Sequence, residues 1–253
     1  MFAKLKGLMT FSRPCAAWLR LAFCLLLLGL SPTAVFAQTE ILNYHVEWRL
    51  IQAGAARVTI NKSPTNVTGK LELTSIGLVS RLFKVNDIYD VNWRPDFCAQ
   101  SSHLNAEEGS RRRETNILFN GPNGKTQYTE KDLVKNTVAQ NAVAVPSCVE
   151  DVLGALQKIR AMKLTPGTST QIPITDGKKF VEVRVDVQEK EDVKTATATH
   201  KTIRLEAFLF NGVLYERTAR CLIWVTDDEK RTPVMIQIRM RFHIGTVTLM
   251  LDK

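Results

Sequence analysis

The sequence lacks the short motifs that mark common catalytic centres. It has no HExxH to hold zinc on a helix, no GxSxG nucleophile elbow, no GxxxxGK[ST] phosphate cradle and no GxGxxG dinucleotide turn. Histidine is scarce. His45, His103, His200 and His243 show no metal-ligand spacing, and His45 and His243 fall on the polar side of alternating segments. No metal or cofactor is therefore expected. Long apolar runs are also missing. The densest, Leu21 to Leu30, has ten residues, whereas a helix crossing a bilayer needs about 20. Aromatic residues do not interleave with Arg111-Arg112-Arg113, the only dense basic cluster. That cluster reads as a turn or strand-end patch, and nucleic acid is not an expected partner.

The first 37 residues contain no acidic side chain. Lys4, Lys6, Arg13 and Arg20 precede the short apolar run. Ser31-Pro32 then ends it, and Val35-Phe36-Ala37 supplies permissive residues at a cleavage site. This is the layout of a secretory signal peptide, expected to be removed after Ala37. Cys24 lies inside the apolar run rather than at its end, so lipid attachment there is not indicated. The remaining 216 residues suffice for a single β-rich domain, 38–253. The formal charge of +9 falls to +5 once the four leader bases are gone, which is unremarkable for this length. The expected location is the periplasm or cell envelope, with no transmembrane segment after cleavage.

Strict alternation marks half-buried strands. Tyr44, Val46, Trp48 and Leu50 alternate with polar residues. So do Val181 to Val187, Val234 to Phe242 and Val247 to Leu251. Shorter strand candidates lie at 55–61, 67–74, 85–93, 97–105, 114–119, 203–210 and 220–226. Turn sequences separate them, among them Asn120-Gly121-Pro122-Asn123-Gly124, Asp176-Gly177-Lys178, Asn211-Gly212 and the polar hairpin Asp227 to Thr232. One segment is helical by pattern. Ser147 with Glu150 forms a capping box, Val149, Val152, Leu153, Leu156 and Ile159 form an apolar stripe, and Pro166-Gly167 stops the run. A shorter helix fits 77–83. Residues 132–146 and 188–200 read as long loops. The expected architecture is mainly β (α+β): a large curved antiparallel sheet or half-barrel, with the Ser147–Met162 helix packed on its concave face.

Three cysteines follow the leader: Cys98, Cys148 and Cys221. Oxidation outside the cytoplasm allows one bridge and one leftover thiol. Cys98 starts a strand candidate and Cys148 sits at the helix start, where geometry is adjustable. Cys221 shares a strand face with Ile223 and Val225. The expected pair is Cys98–Cys148, against the alternatives of a bridge to Cys221 or three free thiols. Asp227-Asp228-Glu229 reads as a solvated hairpin tip rather than a cation loop, because Lys230 and Arg231 follow at once.

The run Arg220-Cys221-Leu222-Ile223-Trp224-Val225-Thr226-Asp227-Asp228 to Pro233-Val234, with Ile244-Gly245-Thr246-Val247, resembles the end of the bacterial exported family called domain of unknown function 3108. Tyr44-His45-Val46-Glu47-Trp48 with Ala53-Gly54-Ala55 is similar to its opening strand and turn. Cys148 to Leu156 with Ile159-Arg160 resembles its helix, and Asp176-Gly177-Lys178 a turn. Cys221 departs from that pattern. The family resemblance implies a β-rich shape similar to periplasmic half-barrels that hold lipid or acyl chains, and it implies no catalytic residues. The leading expectation is a non-catalytic envelope protein that binds an apolar or amphipathic, lipid-like ligand in a sheet–helix cleft. Tyr44, Trp48, Leu153, Leu156 and Trp224 are the candidate lining or core residues. A structural module that binds an envelope protein partner is the alternative. An enzyme acting on envelope polysaccharide would need two carboxylates facing each other across a cleft.

Overall fold

The structure, a computed structural model, describes residues 38–119, 121–241 and 245–252. The expected leader 1–37 lies outside the described residues, as do Asn120 of the glycine-rich turn and Phe242, His243 and Ile244. The described residues form fourteen β-strands, several of them where apolar and polar residues alternate. These are β1 (Gln38–Trp48), β2 (Ile51–Lys62), β3 (Val67–Ser75), β4 (Val85–Trp93), β5 (Ala99–Glu108), β6 (Arg111–Leu118), β7 (Gln127–Asp132) and β8 (Thr137–Asn141). After a long connection come β9 (Ser169–Thr175), β10 (Phe180–Lys194), β11 (Thr199–Ala207), β12 (Ala219–Thr226), β13 (Pro233–Met240) and β14 (Thr246–Leu251). Among the described residues two α-helices interrupt them, α1 (Gly77–Leu82) and α2 (Val152–Ala161).

All fourteen strands join one open antiparallel sheet. Its order is β8-β7-β6-β5-β4-β3-β2-β1-β14-β13-β12-β11-β10-β9. The chain thus starts in the middle, meanders out to one edge, crosses to the other edge and meanders back until β14 pairs with β1. The two edge strands, β8 and β9, are consecutive in sequence, and residues 142–168 between them carry α2. That crossover is tied to both halves of the sheet. Cys98 and Cys148 form a disulfide with Cα atoms 5.0 Å apart. The Ala99 N–H donates to the Val149 carbonyl at 2.8 Å. One residue later, Glu150 exchanges two backbone hydrogen bonds with β9, to Pro173 and from Thr175.

Burial follows the alternation. Leu42, Tyr44 and Val46 of β1 are buried while Ile41 and Asn43 are exposed. One core cluster joins Ile172 and Ile174 of β9, Val183 and Val185 of β10 and Ile223 and Val225 of β12 with Ala155 and Ile159 of α2. A second joins β1, β2 and β4 with Phe119 and Val149, and Leu153 packs against it. The apolar stripe of α2 is therefore shared between the two.

Several sequence expectations need correction. The helix is capped by Asp151, not by a Ser147–Glu150 box: the Asp151 carboxylate accepts from the N–H groups of Leu153 and Gly154, both at 3.1 Å. Cys148 accordingly lies in a bend three residues ahead of the helix cap rather than at the helix start. Leu50 is not a strand residue. Arg49 and Leu50, with φ of 52° and 67°, form the two-residue turn between β1 and β2, and Leu50 is 93% exposed. The two segments read as loops contain strand. Residues 132–146 hold β8, and 188–194 continue β10 past a bulge after Val187. In both segments the alternation is hidden, by an all-exposed edge strand in β8 and by one extra residue that flips the facing in β10. The hairpin tip, by contrast, is exposed as expected, and Asp228 orders it. Asp228 accepts from Thr226 Oγ1 and from the N–H groups of Lys230 and Arg231.

Candidate functional site

A cavity of about 560 Å³ opens between the sheet and α2, within the range of roughly 300–1,000 Å³ typical of small-ligand sites. Its walls come from the inward-facing positions of β1 to β7, from β13 and β14, and from one side of α2. The lining is mainly aliphatic and aromatic, with Leu42 and Tyr44 from β1, Leu71 and Leu73 from β3, Ile236 and Ile238 from β13 and Leu249 from β14. Leu153 and Leu156 supply the helical wall. Depressions on other parts of the sheet are lined mostly by polar side chains such as Arg57, Asn61, Lys70 and Glu72.

The helix is held at both ends by buried polar groups. At its start, Asp151 accepts from Trp93 Nε1 at 2.5 Å and from the Tyr89 hydroxyl at 2.9 Å, besides its two backbone donors. Burial pushes the Asp151 carboxyl above its ordinary value. The hydrogen bonds from Trp93, Tyr89 and the backbone pull it down without cancelling that effect. Trp93 is wholly buried, and its position demands two glycines. A Cβ at Gly69 would lie 2.1 Å from the indole, and one at Gly154 would lie 2.5 Å from Nε1. At the other end, Arg160 forks onto Glu40 of β1 at 2.7 and 2.8 Å. It also donates to the Lys230 and Arg231 carbonyls of the β12–β13 turn and to Gln157 Oε1.

Polar residues are part of the cavity wall at specific places. Thr115 Oγ1 and Gln157 Nε2 belong to buried lining residues and have no hydrogen-bond partner. Arg113 also lines the cavity. Its terminal nitrogens reach Glu108 and Glu130, while its buried Nε has no partner. Unmade bonds of this kind are costly in a folded protein. Asp87 lies in the same wall. Burial first, and then the Glu108 charge, push its carboxyl up to about 6. Lys178 sits over the Tyr128 ring and beside Glu130 on the same side of the cavity.

The five candidate lining residues separate. Tyr44, Leu153 and Leu156 line the cavity, and the Tyr44 hydroxyl donates to the Pro233 carbonyl at 2.9 Å. Trp48 is half-buried at the end of β1 and is not among the lining residues. Trp224 points to the opposite face of β12 from Ile223, which pairs with cavity-lining Ile236. There it packs with Val193, Leu222 and Val234 and donates to Glu191 at 2.7 Å. Sequence reading overlooked Arg113, Thr115 and Gln157. The first was read as part of a surface basic cluster, although strand parity puts Arg113, Thr115 and Ile117 on one face. Cys221 is a buried free thiol in the core cluster, and burial pushes it up to about 12.

The fold is thus mostly β, one large open antiparallel sheet with an apolar cavity. The fold is similar to a crystal structure of a β-barrel-like protein of domain of unknown function DUF1849 from Brucella abortus. The TM-score is 0.56 at 9% sequence identity, over 87% of this chain and 97% of that chain. The chain belongs to the family described as protein of unknown function DUF3108, whose model matches residues 43–252. No curated protein matches the chain. Among the described residues no helix is long and apolar enough to cross a membrane.

Proposed function

We propose that this is an exported, non-catalytic envelope protein, in which the sheet curls as a half-barrel around α2 and holds an amphipathic, lipid-like ligand. The observation that carries this reading is the chemistry of the cavity lining. Aliphatic side chains from many strands make most of the wall, while Arg113, Glu130 and Lys178 add one cluster of charged side chains to it. An acyl chain matches the first, and a polar or charged head group matches the second. A sugar would leave the aliphatic wall unmatched, which argues against the polysaccharide reading. That reading would draw on cavity carboxyls such as Asp87 and Asp151. Asp151, however, is engaged by four donors. The basic, acid-free leader and the disulfide both fit export.

The test is extraction of the mature chain, purified from the periplasm, followed by mass spectrometry. Binding of a fluorescent fatty-acyl probe to the delipidated protein is measured alongside. The reading expects a co-purifying or rebinding amphiphile at about one per chain, weakened by Leu156→Arg, which puts a charge into the cavity. A delipidated protein that binds no acyl probe would refute it.

A further inference from the structure

One end of the sheet has an exterior that the cavity does not explain. Because the strands alternate in direction, the β1–β2 turn, α1, the β5–β6 turn and the β7–β8 turn all lie at the same end. Their tips are apolar. Leu50 is 93% exposed, Leu82 72% and Leu78 63%, and Ile51 and Phe83 are more than half exposed. Helix α1 buries none of its residues. Hydrogen bonds make the tips continuous. Ile76 N–H donates to the Ala53 carbonyl beside Ile51, and Gly109 N–H donates to the Lys84 carbonyl beside Phe83. Leu133 N–H donates to the Arg112 carbonyl and brings a further exposed apolar pair, Leu133 and Val134.

The β1–β2 turn itself is unfavourable. Two-residue hairpins with both central residues at positive φ are normally Asn-Gly or Asp-Gly, and a leucine there is strained. Here Arg49 and Leu50 occupy those positions and thrust an aliphatic side chain into water. Around this apolar set stand Arg49, Arg81, Lys84, Arg111, Arg112 and Lys135, all exposed. Among the described residues Arg49, Arg81 and Arg111 take part in no ion pair; Lys84 and Arg112 share Glu107. Exposed apolar tips rimmed by cations match a surface that is apolar within and anionic outside.

We propose that this end of the sheet docks onto an anionic lipid bilayer, with Leu50, Leu82 and their neighbours entering the interface and the arginine rim meeting phosphate groups. Arg113 and Glu130 of the cavity wall lie on strands that end here, so docking would bring this end of the cavity to the membrane. The inference stands whether or not the cavity holds lipid.

The test is co-sedimentation of the mature chain with phosphatidylglycerol-containing vesicles and with pure phosphatidylcholine vesicles. Partition onto the anionic vesicles is expected, falling as salt is raised. Leu50→Asn and Leu82→Gln should each weaken it about tenfold, the factor implied by withdrawing one leucine side chain from an apolar phase. Arg81→Gln with Arg111→Gln should weaken it and flatten its salt dependence. Leu50→Asn separates the proposal from a folding defect, because asparagine tolerates positive φ, so the variant should melt no lower than the parent while binding less. Three results would overturn the proposal: no partition onto anionic vesicles at low salt, partition unchanged in all these variants, or a self-associated chain that the same substitutions turn into monomer without any vesicle binding.

Discussion

Replacing Asp151 by alanine tests whether the clamp at the start of α2 organises the fold. The carboxylate caps the helix through the Leu153 and Gly154 N–H groups and accepts from the Trp93 indole and the Tyr89 hydroxyl. Loss of the cap costs about 1 kcal/mol. Each buried donor left unpaired costs about 1–3 kcal/mol, and Trp93 has no exposure to water. Against this, alanine removes the expense of burying a carboxylate, which the raised pKa of Asp151 records. The net loss is about 3–5 kcal/mol, which for a chain of this length lowers Tm by about 10 °C. Asp151→Asn keeps one acceptor oxygen for the cap and should lose roughly half as much. Thermal denaturation of the mature protein, followed by circular dichroism, reads both variants. An Asp151→Ala protein melting within about 2 °C of the parent, less than 1 kcal/mol of effect, would show that the clamp contributes nothing and the account of Trp93 is wrong.

Two further outcomes follow from other parts of the molecule. The Asp87 carboxyl is raised to about 6, so its neutral form is favoured in the folded state. Its contribution is complete below about pH 4, the unfolded value, and is lost as pH rises through about 6. Asp87→Asn should therefore flatten the decline of Tm across that window, and superimposable pH profiles for the two proteins would contradict the assignment. The Cys98–Cys148 bridge spans a sequence separation of 50, which in the chain-entropy model is worth on the order of 4 kcal/mol. Cys98→Ser with Cys148→Ser should lower the unfolding free energy read from urea denaturation accordingly, whereas Cys221→Ala should change it by about 1 kcal/mol or less. The reverse ranking would mean that the bridge is not the main cross-link.

Strand identity was legible wherever one face is buried and the other wet, as in β1 and β4, because burial imposes period two on the sequence. It was illegible where that condition fails. β8 exposes every residue, so nothing selects apolar side chains there. β10 changes facing at its bulge, so Glu189 to Asp192 looks like a charged loop, although Glu191 accepts from Arg204 and Trp224 on the outer face. The helix was legible from its stripe, but its cap was assigned four residues early. Ser147, Glu150 and Asp151 are all cap-compatible, and only the partners Trp93 and Tyr89 decide among them. Tyr44, Leu153 and Leu156 could be named as buried, but sequence does not separate a wall facing a cavity from a wall facing a core. Trp224 failed for that reason, since both faces of β12 are buried and parity then carries no information about which face meets α2.

A cavity persists beside the apolar stripe of α2 against the tendency of the helix to collapse onto the sheet. Protein interiors close-pack, and an unfilled apolar space of this size is a loss of contacts that collapse would recover. Leu153 and Leu156 are only partly buried, so α2 has not moved in far enough to bury them. What holds it off is polar and directional. Asp151 fixes one end to β4 through Trp93 and Tyr89, and Arg160 fixes the other to Glu40 and to the Lys230 and Arg231 carbonyls. Moving the helix inward would break buried, charge-assisted bonds at both ends, each worth more than a neutral hydrogen bond. Gly69 and Gly154 press the Trp93 indole between them and fix the height of the helix above the sheet. A helix suspended in this way acts as a strut. The space beneath it is set by its end clamps rather than by its apolar face, which leaves that face free to meet a ligand.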